Sequence, residues 1–499
     1  MSSRPFAPIP IAVALLFLGA PVIGSVGATA VVGKPAAVVS AAAPQAAAKQ
    51  NVRAITLKTG MADGKMVFMD DKGRVNPEIK ANTGETIEIT ISSGEGAEHD
   101  IVIPELGVQS KKFSAGTGAV KVSFHVTKPG KFTYFCSVPG HRQIGMEGVL
   151  EVAGAEIASA KPQAPKVNPT AVLGAAAATP PIAPAATNAV SIAMDPNAVP
   201  KPLGARAPQL VKYSIETVEL EGKLDDGTTF TYWTFGRKVP GPMLRVKQGD
   251  SVELTLSNNA SSKAVHSIDL HSVTGGMGGG ADTQVAPGQT KTFRFKALNP
   301  GLYVYHCATP SVAHHISAGM YGLILVEPPQ GLPKVDREFY VMQGDLYTSH
   351  PFGTKGHQEF SDQRASDELP TYYVFNGAVG ALTKEYKLAA NVGETVRVYF
   401  GVGGPNKVSS FHAIGEIFDK VYSEGSVSTV KKDVQTTLVA PGGATIVDFK
   451  VNYPGKYLLV DHALSRVGKG IGALLEVSGK DDEGVYKSYQ GKSEEHLAH

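Results

Sequence analysis

Two cysteines stand out in a chain of 499 residues that also carries 14 histidines. Cys136 is followed by His141 and Met146, a Cys-x4-His-x4-Met spacing within one short segment. Two imidazoles, one thiolate and a weak axial thioether form the electron-transfer site of blue-copper proteins. The second imidazole must come from elsewhere: we expect His99, at an earlier strand end, whereas its rival His125 lies inside a strand. The alternative interpretation of Cys136 is a buried free thiol.

The second cysteine has a similar setting. Cys307 is followed by His315 and Met320 in a Cys-x7-His-x4-Met spacing, and His266 lies upstream. His314 stands next to His315 and could be mistaken for the ligand. The sequence therefore predicts a second blue-copper site.

Extra histidines surround this second site. Side chains alternate across a strand, so the five-residue offset between His266 and His271 points them to opposite faces. The same holds for His306 and Cys307, which are adjacent. We therefore expect two metal centres back to back, with His266 and Cys307 in one, His271 and His306 in the other, and a covalent route for an electron between them.

A site built on His271 and His306 needs a third ligand. The last third of the chain has no cysteine, but it offers His412 and His462. Three imidazoles with an open position form a catalytic arrangement in zinc enzymes. The alternative is that both are core histidines.

The elements that must position these residues read as β-strands. Residues 87–91 alternate apolar and polar, and Gly (55) and Pro (33) are abundant, which favours turns and short strands. Similar strand and Pro-Gly turn segments recur three times in the same order, which predicts an all-β chain of three Greek-key β-sandwich domains in tandem. The predicted division is a signal peptide (1–30), a disordered Ala-rich leader (31–50), a first blue-copper domain (51–153), an Ala/Pro-rich linker (154–200), two further β domains (201–330 and 331–479) and a C-terminal tail (480–499).

Charge and the N-terminus bound the class of protein. Lys plus Arg is 47 and Asp plus Glu is 45, a net charge of +2, which gives no electrostatic case for nucleic-acid binding. Arg4 precedes the short apolar run 11–19 and an Ala28-Thr29-Ala30 exit, typical of a secretory signal peptide. We expect an exported, periplasmic protein without a membrane span in its mature form.

Residues 208–479 resemble copper-containing nitrite reductases. Residues 51–153 resemble a small blue-copper protein, a cupredoxin, and the whole chain is similar to reductases with such a domain fused in front. The segments that carry the resemblance to the reductases are 232–236, 239–242, 266–271, 305–308, 319–328 and 409–416.

The resemblance implies cupredoxin-like domains and copper as the cofactor, with two type-1 ions and one type-2 ion per chain. It implies that Asp269 and His412 deliver protons and that Ile414 crowds the substrate pocket. The third type-2 ligand, His462, comes in this family from a neighbouring subunit of a homotrimer. The implied ligand sets are His266, Cys307, His315 and Met320 (core type-1), His271, His306 and His462 (type-2), and His99, Cys136, His141 and Met146 (N-terminal type-1).

The implied reaction is the reduction of nitrite to nitric oxide, with one electron and two protons. The implied partners are nitrite and an electron donor such as a soluble c-type cytochrome or cupredoxin. The sequence leaves open whether the N-terminal domain relays electrons or only docks.

Three other functions are weighed against this one. A multicopper oxidase needs His-x-His pairs and a His-Cys-His segment, but Ala308 follows Cys307 and no His-x-His occurs. An electron carrier with two blue coppers leaves His271, His306 and His462 without a role. A copper-storage protein would carry Met- or His-rich tracts, which the sequence lacks.

Overall fold

The computed structural model describes residues 52–62, 65–114, 117–138, 141–142, 145–155 and 181–489. The predicted signal peptide, the leader, the first part of the linker and the last ten residues lie outside these ranges. Within them, strands dominate and form six sheets, which fall into three successive pairs along the chain. The prediction of an all-β fold is confirmed.

The first pair of sheets is built from residues 52–153. One sheet has the order β2-β1-β4-β7 and the other β3-β9-β8-β5-β6. Apolar side chains alternate along β4 and meet those of β8 and β9 in one core. The strands are β1 (Val52–Ala62), β2 (Lys65–Asp70), β3 (Ile79–Asn82), β4 (Thr86–Ser92), β5 (Val102–Ile103), β6 (Val108–Gln109), β7 (Val120–His125), β8 (Gly130–Phe135) and β9 (Glu147–Ala153).

The second pair begins at residue 210. Its sheets have the orders β15-β13-β10-β11-β19 and β12-β17-β16-β14. In β14 and β16, Asp269 pairs with His306 and Leu270 with Tyr305, so the two histidine-bearing segments lie side by side. The strands are β10 (Leu210–Asp225), β11 (Thr228–Phe235), β12 (Leu244–Lys247), β13 (Ser251–Asn258), β14 (Asp269–Leu270), β15 (Thr290–Lys296), β16 (Gly301–His306), β17 (Tyr321–Glu327) and, later in the chain, β19 (Gly356–Gln358).

The third pair has the orders β20-β18-β22-β27-β24-β25 and β21-β29-β28-β23-β26. Antiparallel pairing of β23 with β28 sets His412 opposite Val460, two residues before His462. The strands are β18 (Arg337–Leu346), β20 (Tyr372–Phe375), β21 (Leu388–Asn391), β22 (Thr395–Gly404), β23 (Ser409–Ala413), β24 (Phe418–Tyr422), β25 (Val430–Val434), β26 (Thr436–Val439), β27 (Ala444–Lys450), β28 (Gly455–Asp461) and β29 (Ala473–Ser478).

Helices are short and lie in connections. The α-helices are α1 (Val312–Ser317) and α2 (Asp362–Ser366), and the 3-10 helices are Pro104–Leu106, Gly276–Gly279, Ser423–Gly425 and Leu464–Lys469. No helix among the described residues is long and apolar enough to cross a lipid bilayer.

Strand β17 is buried along its whole length because both of its faces are covered. Ile324 and Val326 face the core between the second pair of sheets, whereas Leu323 and Leu325 pack against residues of the third pair. Such two-sided burial explains why this strand is continuously apolar instead of alternating. The second and third pairs are therefore joined by a shared apolar core.

The end of the predicted linker is not a free tether. Residues 181–200 lie on the second and third pairs, where Ile192 and Ala193 are fully buried. Ala193 bridges Val239, and the amide of Tyr340 donates to the carbonyl of Pro196. The apolar residues of this stretch bury enough surface to hold it, so the boundary predicted at residue 200 lies too late in the chain.

Candidate metal centres

The first candidate centre lies at one end of the first pair of sheets and is called the front set. Cys136 directly follows β8, His141 comes from the next loop, and His99 forms an isolated bridge with Phe113. The Cys136 sulfur lies 3.4 Å from His141 Nδ1 and 3.8 Å from His99 Nδ1, and the two Nδ1 atoms are 3.1 Å apart. All three side chains are buried. The rival His125 is exposed at the end of β7 and lies apart from this set.

Two buried carboxylates support the front set. His99 Nε2 donates to Glu95, which also accepts a hydrogen bond of 2.8 Å from Thr59 Oγ1. Burial raises the pKa of Glu95, but the hydrogen bond and charge of His99 lower it more, so the group is ionised. Asp100 accepts from the amide of Ser137, next to Cys136, at 2.6 Å. Burial also raises the pKa of the Cys136 thiol to about 12.

The second candidate centre, the core set, repeats this arrangement between the second pair of sheets. Cys307 follows β16, and its sulfur lies 3.2 Å from Nδ1 of His315, on α1. His266 Nδ1 is 3.4 Å from His315 Nδ1. Burial lowers the pKa of His315 to about 3, so this ring is neutral and can ligate a metal.

The surroundings of the core set differ from those of the front set. Burial raises the pKa of Cys307, but the hydrogen bond and charge of His266, together with the amide of Ser267, lower it below its usual value. The Ser267 amide lies 3.3 Å from the sulfur. Glu219 Oε1 is 3.4 Å from His266 Nε2, which has no hydrogen-bond partner among the described residues.

The two predicted methionine ligands are fully buried in equivalent places. Met146 lies in the same apolar core as Cys136, and Met320 in the same core as Cys307. The amide of each cysteine donates to the carbonyl of its methionine, at 3.2 Å for Cys136 and 3.1 Å for Cys307. Each loop therefore closes on itself and holds its methionine beside its cysteine.

A third group lies on the other side of β16. His271 Nε2 and His306 Nε2 are 3.0 Å apart, and Asp269 Oδ2 is 3.9 Å from His306 Nε2. His306 Nδ1 donates to the carbonyl oxygen of Cys307 at 3.0 Å, which leaves Nε2 as the free ring atom. Burial, and then the charge of His306, lower the pKa of His271, which keeps its ring neutral. Unlike the other sets, this group is open to solvent at His271.

The remaining predicted site residues lie together elsewhere on the chain. The rings of His412 and His462 are 5.3 Å apart, and Ile414 follows His412 at the end of β23. His412 Nδ1 donates to the carbonyl of Gln435 at 2.6 Å, so its Nε2 is free. No three-residue group among the described residues joins His462 to His271 and His306.

The donor atoms fit copper. The front and core sets each bring one sulfur and two Nδ1 atoms to a common point in a buried, apolar place, which suits type-1 copper with an axial methionine. In the third group, the Nε2 atoms of the two histidines face each other at 3.0 Å. Two nitrogen lone pairs cannot face each other at this distance unless a proton or a metal ion lies between them. His271 and His306 would therefore hold a copper ion, with Asp269 beside it.

A cavity of about 420 Å³ separates the front and core sets. His141 and His315 both line it, so one ligand of each set faces the other across the same space. The amide of Glu98 donates to the carbonyl of Lys263 at 2.9 Å, and Val265 packs into the apolar core of the first pair of sheets. The front set is therefore docked on the core set.

His314 lies in the wall of this cavity and is not a member of either ligand set. Its ring is stacked between those of Trp233 and Phe360, with distances between ring centroids of 4.3 Å and 3.9 Å. Burial lowers its pKa to about 3, and its Nδ1 has no partner among the described residues. His314 therefore packs as an aromatic ring beside the ligand His315.

Sequence reasoning missed the carboxylates that face the ligand histidines. Glu95 and Glu219 lie 4 and 47 residues before their histidines and belong to no recognisable motif. Of the buried carboxylates at the front set, only Asp100 could have been noticed in the sequence. It directly follows His99, at the position that Ser267 holds after His266.

Two family models and several curated relatives match parts of the chain. Residues 55–153 match the copper binding proteins of the plastocyanin/azurin family, and residues 217–331 match the multicopper oxidase family. The copper-containing nitrite reductase of Neisseria meningitidis serogroup A is 54% identical over 285 residues, which cover 57% of this chain and 74% of that protein. The one from Alcaligenes faecalis is 35% identical over 300 residues, covering 56% of this chain and 79% of that protein.

A solved structure, a copper nitrite reductase from Nitrosomonas europaea, aligns with a TM-score of 0.49 and 34% identity, covering 55% of this chain and 95% of that one. The fold and the two Cys-His sets define a copper protein of the cupredoxin class. Within that class, the chain belongs to the copper-containing nitrite reductase family.

Proposed function

We propose that this protein reduces nitrite to nitric oxide at the group formed by His271 and His306. The observation that carries the proposal is that His306 and Cys307, adjacent in sequence, belong to ligand groups on opposite sides of one strand. Only one peptide unit separates the two groups. Family membership supports the same function.

The reaction combines one nitrite ion, one electron and two protons into nitric oxide and water. Copper held by His271 and His306 would supply a Lewis acid for the anion and the one-electron reductant. Cys307 and His306 provide the covalent connection between the two ligand groups. Asp269, 3.9 Å from His306 Nε2, is the nearest described carboxylate to this site and can hold a proton for the departing oxygen.

His412 is the second proposed proton donor. The Gln435 carbonyl fixes its Nδ1 as the protonated nitrogen, so Nε2 is the ring atom left to pass a proton. Ile414, two residues further on, would crowd the pocket and limit the size of the bound anion. Both side chains belong to the part of the chain that carries His462.

We infer that the complete site needs a second copy of the chain. His271 is exposed and paired with His306, whereas His462 is exposed beside His412 in a different place. Two half-sites open to solvent on one chain are what a shared interface requires. The proposed assembly is a homotrimer in which His462 of the partner subunit completes the three imidazoles.

The N-terminal copper set is proposed to pass electrons to the core set. The cavity lined by both His141 and His315 supports a relay over a purely mechanical docking role. An exported c-type cytochrome or cupredoxin in the periplasm is the proposed donor.

The experiment that tests the proposed reaction measures products under anaerobic conditions. Copper-loaded protein, nitrite and a viologen reductant should give one nitric oxide per nitrite at a nitric oxide electrode. Ammonium as the product, or no nitrite consumption, would contradict it. The Cys136→Ser variant should keep viologen-driven turnover but lose turnover driven by a protein donor, and unchanged donor-driven turnover would rule out the relay.

A further inference from the structure

The front and core sets share their ligand atoms but differ in the charges around them. At the front set, His99 Nε2 donates directly to Glu95, whose side chain is 6% exposed. At the core set, the equivalent carboxylate, Glu219, lies 3.4 Å from His266 Nε2 without a hydrogen bond. The front carboxylate therefore contacts its ligand histidine more closely than the core carboxylate does.

Hydrogen bonds explain this difference. Glu219 Oε1 already accepts from the amides of Lys263 and Ala264, both at 2.8 Å. Those two donors share the charge of the carboxylate with His266. Glu95 has only the hydroxyl of Thr59 as another side-chain donor, at 2.8 Å and 3.1 Å, so its charge is directed at His99.

A second difference lies beside the sulfur. Asp100, buried and bonded to the amide and hydroxyl of Ser137, follows the first ligand of the front set. Ser267, which is neutral, holds that position in the core set. The backbone amides of both residues bond the sulfur of their cysteine, so the difference between the sets is the charge of the Asp100 side chain. A nearby carboxylate stabilises the oxidised, more positive metal.

We propose that Glu95 and Asp100 are positioning residues that give the front copper a lower reduction potential than the core copper, so that electrons pass from front to core. A carboxylate on the outer nitrogen of a ligand imidazole makes that imidazole a stronger donor. Stronger donation and two buried negative charges both favour Cu(II) over Cu(I). The step is a transfer of one electron, in which the front copper is oxidised and the core copper is reduced.

This inference rests on the proposed function, in that both sets must bind copper. It goes beyond it because it names the residues that make the transfer from front to core favourable. Glu219 has the same chemistry as Glu95, so it offers a matched comparison at the core set.

The test is a spectroelectrochemical titration of the full copper-loaded protein. Cys136→Ser and Cys307→Ser variants assign each type-1 signal to its set. The reduction potential of the front copper should be lower than that of the core copper by at least about 59 mV. For one electron this corresponds to a tenfold equilibrium constant in favour of transfer from front to core. A front potential equal to or above that of the core would overturn the inference, and this comparison needs no substitution near His99.

Variants test the two residues directly. Glu95→Gln and Asp100→Asn should each raise the front potential while the type-1 spectrum persists, and Glu219→Gln should change the core potential less. Glu98→Gln is the control. It removes a charge from the residue before His99, whose side chain pairs with Lys112 and not with the His99 ring. Unchanged front potentials in both front variants would refute the assignment. Failure of the proposed function is distinguishable, since it would appear as missing type-1 signals or absent nitrite reduction.

Discussion

The carbonyl oxygen of Cys307 lies 3.0 Å from Nδ1 of His306, the residue before it. This hydrogen bond turns the Nε2 of His306 towards His271, while the Cys307 sulfur points to His315 on the other side of the strand. One peptide unit therefore both connects the two ligand groups and orients one of them.

The trimer can be tested by mixing two inactive variants. His271→Ala removes one side of the proposed site and His462→Ala removes the other, so each homotrimer should reduce no nitrite. Every mixed trimer, formed by co-expression with two affinity tags, contains one interface with both sides intact. Purified mixed trimers should therefore reduce nitrite with about a third of the active sites of a wild-type trimer. Mixed trimers as inactive as the parents would contradict a site shared between subunits.

Gly278 holds Asp269 in place by leaving room for it. A Cβ on Gly278 would lie 1.7 Å from Asp269 Oδ1 and 3.1 Å from the amide of Leu270. Gly278→Ala should therefore displace the carboxylate and lower kcat by at least tenfold, with copper content unchanged. Steady-state nitrite kinetics and copper analysis measure both.

The control for this prediction is Gly275→Ala. Gly275 also has a positive φ, of 94°, but its Cβ would meet nothing within 4 Å. An alanine there meets at least as much backbone strain as at Gly278, but without the clash. Equal losses in the two variants would mean that strain in the loop, and not the position of Asp269, lowers the rate.

Glu416 makes the stability of the fold depend on pH. Burial, and then the nearby charge of Asp419, raise its pKa to about 7. Between pH 4.5 and about pH 7, the folded state keeps a proton on Glu416 that the unfolded state has released. The contribution of this group to stability therefore falls as the pH rises through this range. Glu416→Gln should raise the thermal midpoint at pH 8 and leave it nearly unchanged at pH 4. An equal shift at both values would show that burial of the charge is not the cause.

The segment before β10 should contribute to stability. Ile192 is fully buried against Val239, and Ile192→Ala removes that packing at a cost of about 2–5 kcal/mol in the free energy of unfolding. Val190 lies two residues away but is half exposed, so Val190→Ala should cost less than about 1 kcal/mol. Chemical denaturation measures both, and equal small effects would indicate a loosely attached segment.

The sequence predicted which cysteines and histidines lie together in the front and core sets, because local rules govern them. A Cys-x4-His-x4-Met spacing keeps its members on one loop, and alternation along a strand separates His306 from Cys307. The contacts that it did not predict are non-local. Glu219 faces His266 from 47 residues away, and Lys263 meets Glu98 across the docked front set. Such contacts depend on how the sheets pack, which a repeat pattern does not specify.

The linker shows a similar limit. Its Ala- and Pro-rich composition predicted a tether to residue 200, yet Ile192 and Ala193 are buried on the core. Composition averages over a segment and overlooks two apolar residues that pack into cores formed by distant parts of the chain.

The most direct test of the account is a copper count with electron paramagnetic resonance on wild-type protein and on His306→Ala. The wild type should hold three coppers per chain, in a 2:1 ratio of type-1 to type-2 signals. His306→Ala should lose the type-2 signal and nitrite reduction but keep both type-1 signals, since Cys307 points to the other ligand group. A His306→Ala protein that retains its type-2 copper, or still reduces nitrite, would contradict the claim that these two neighbours serve different metals.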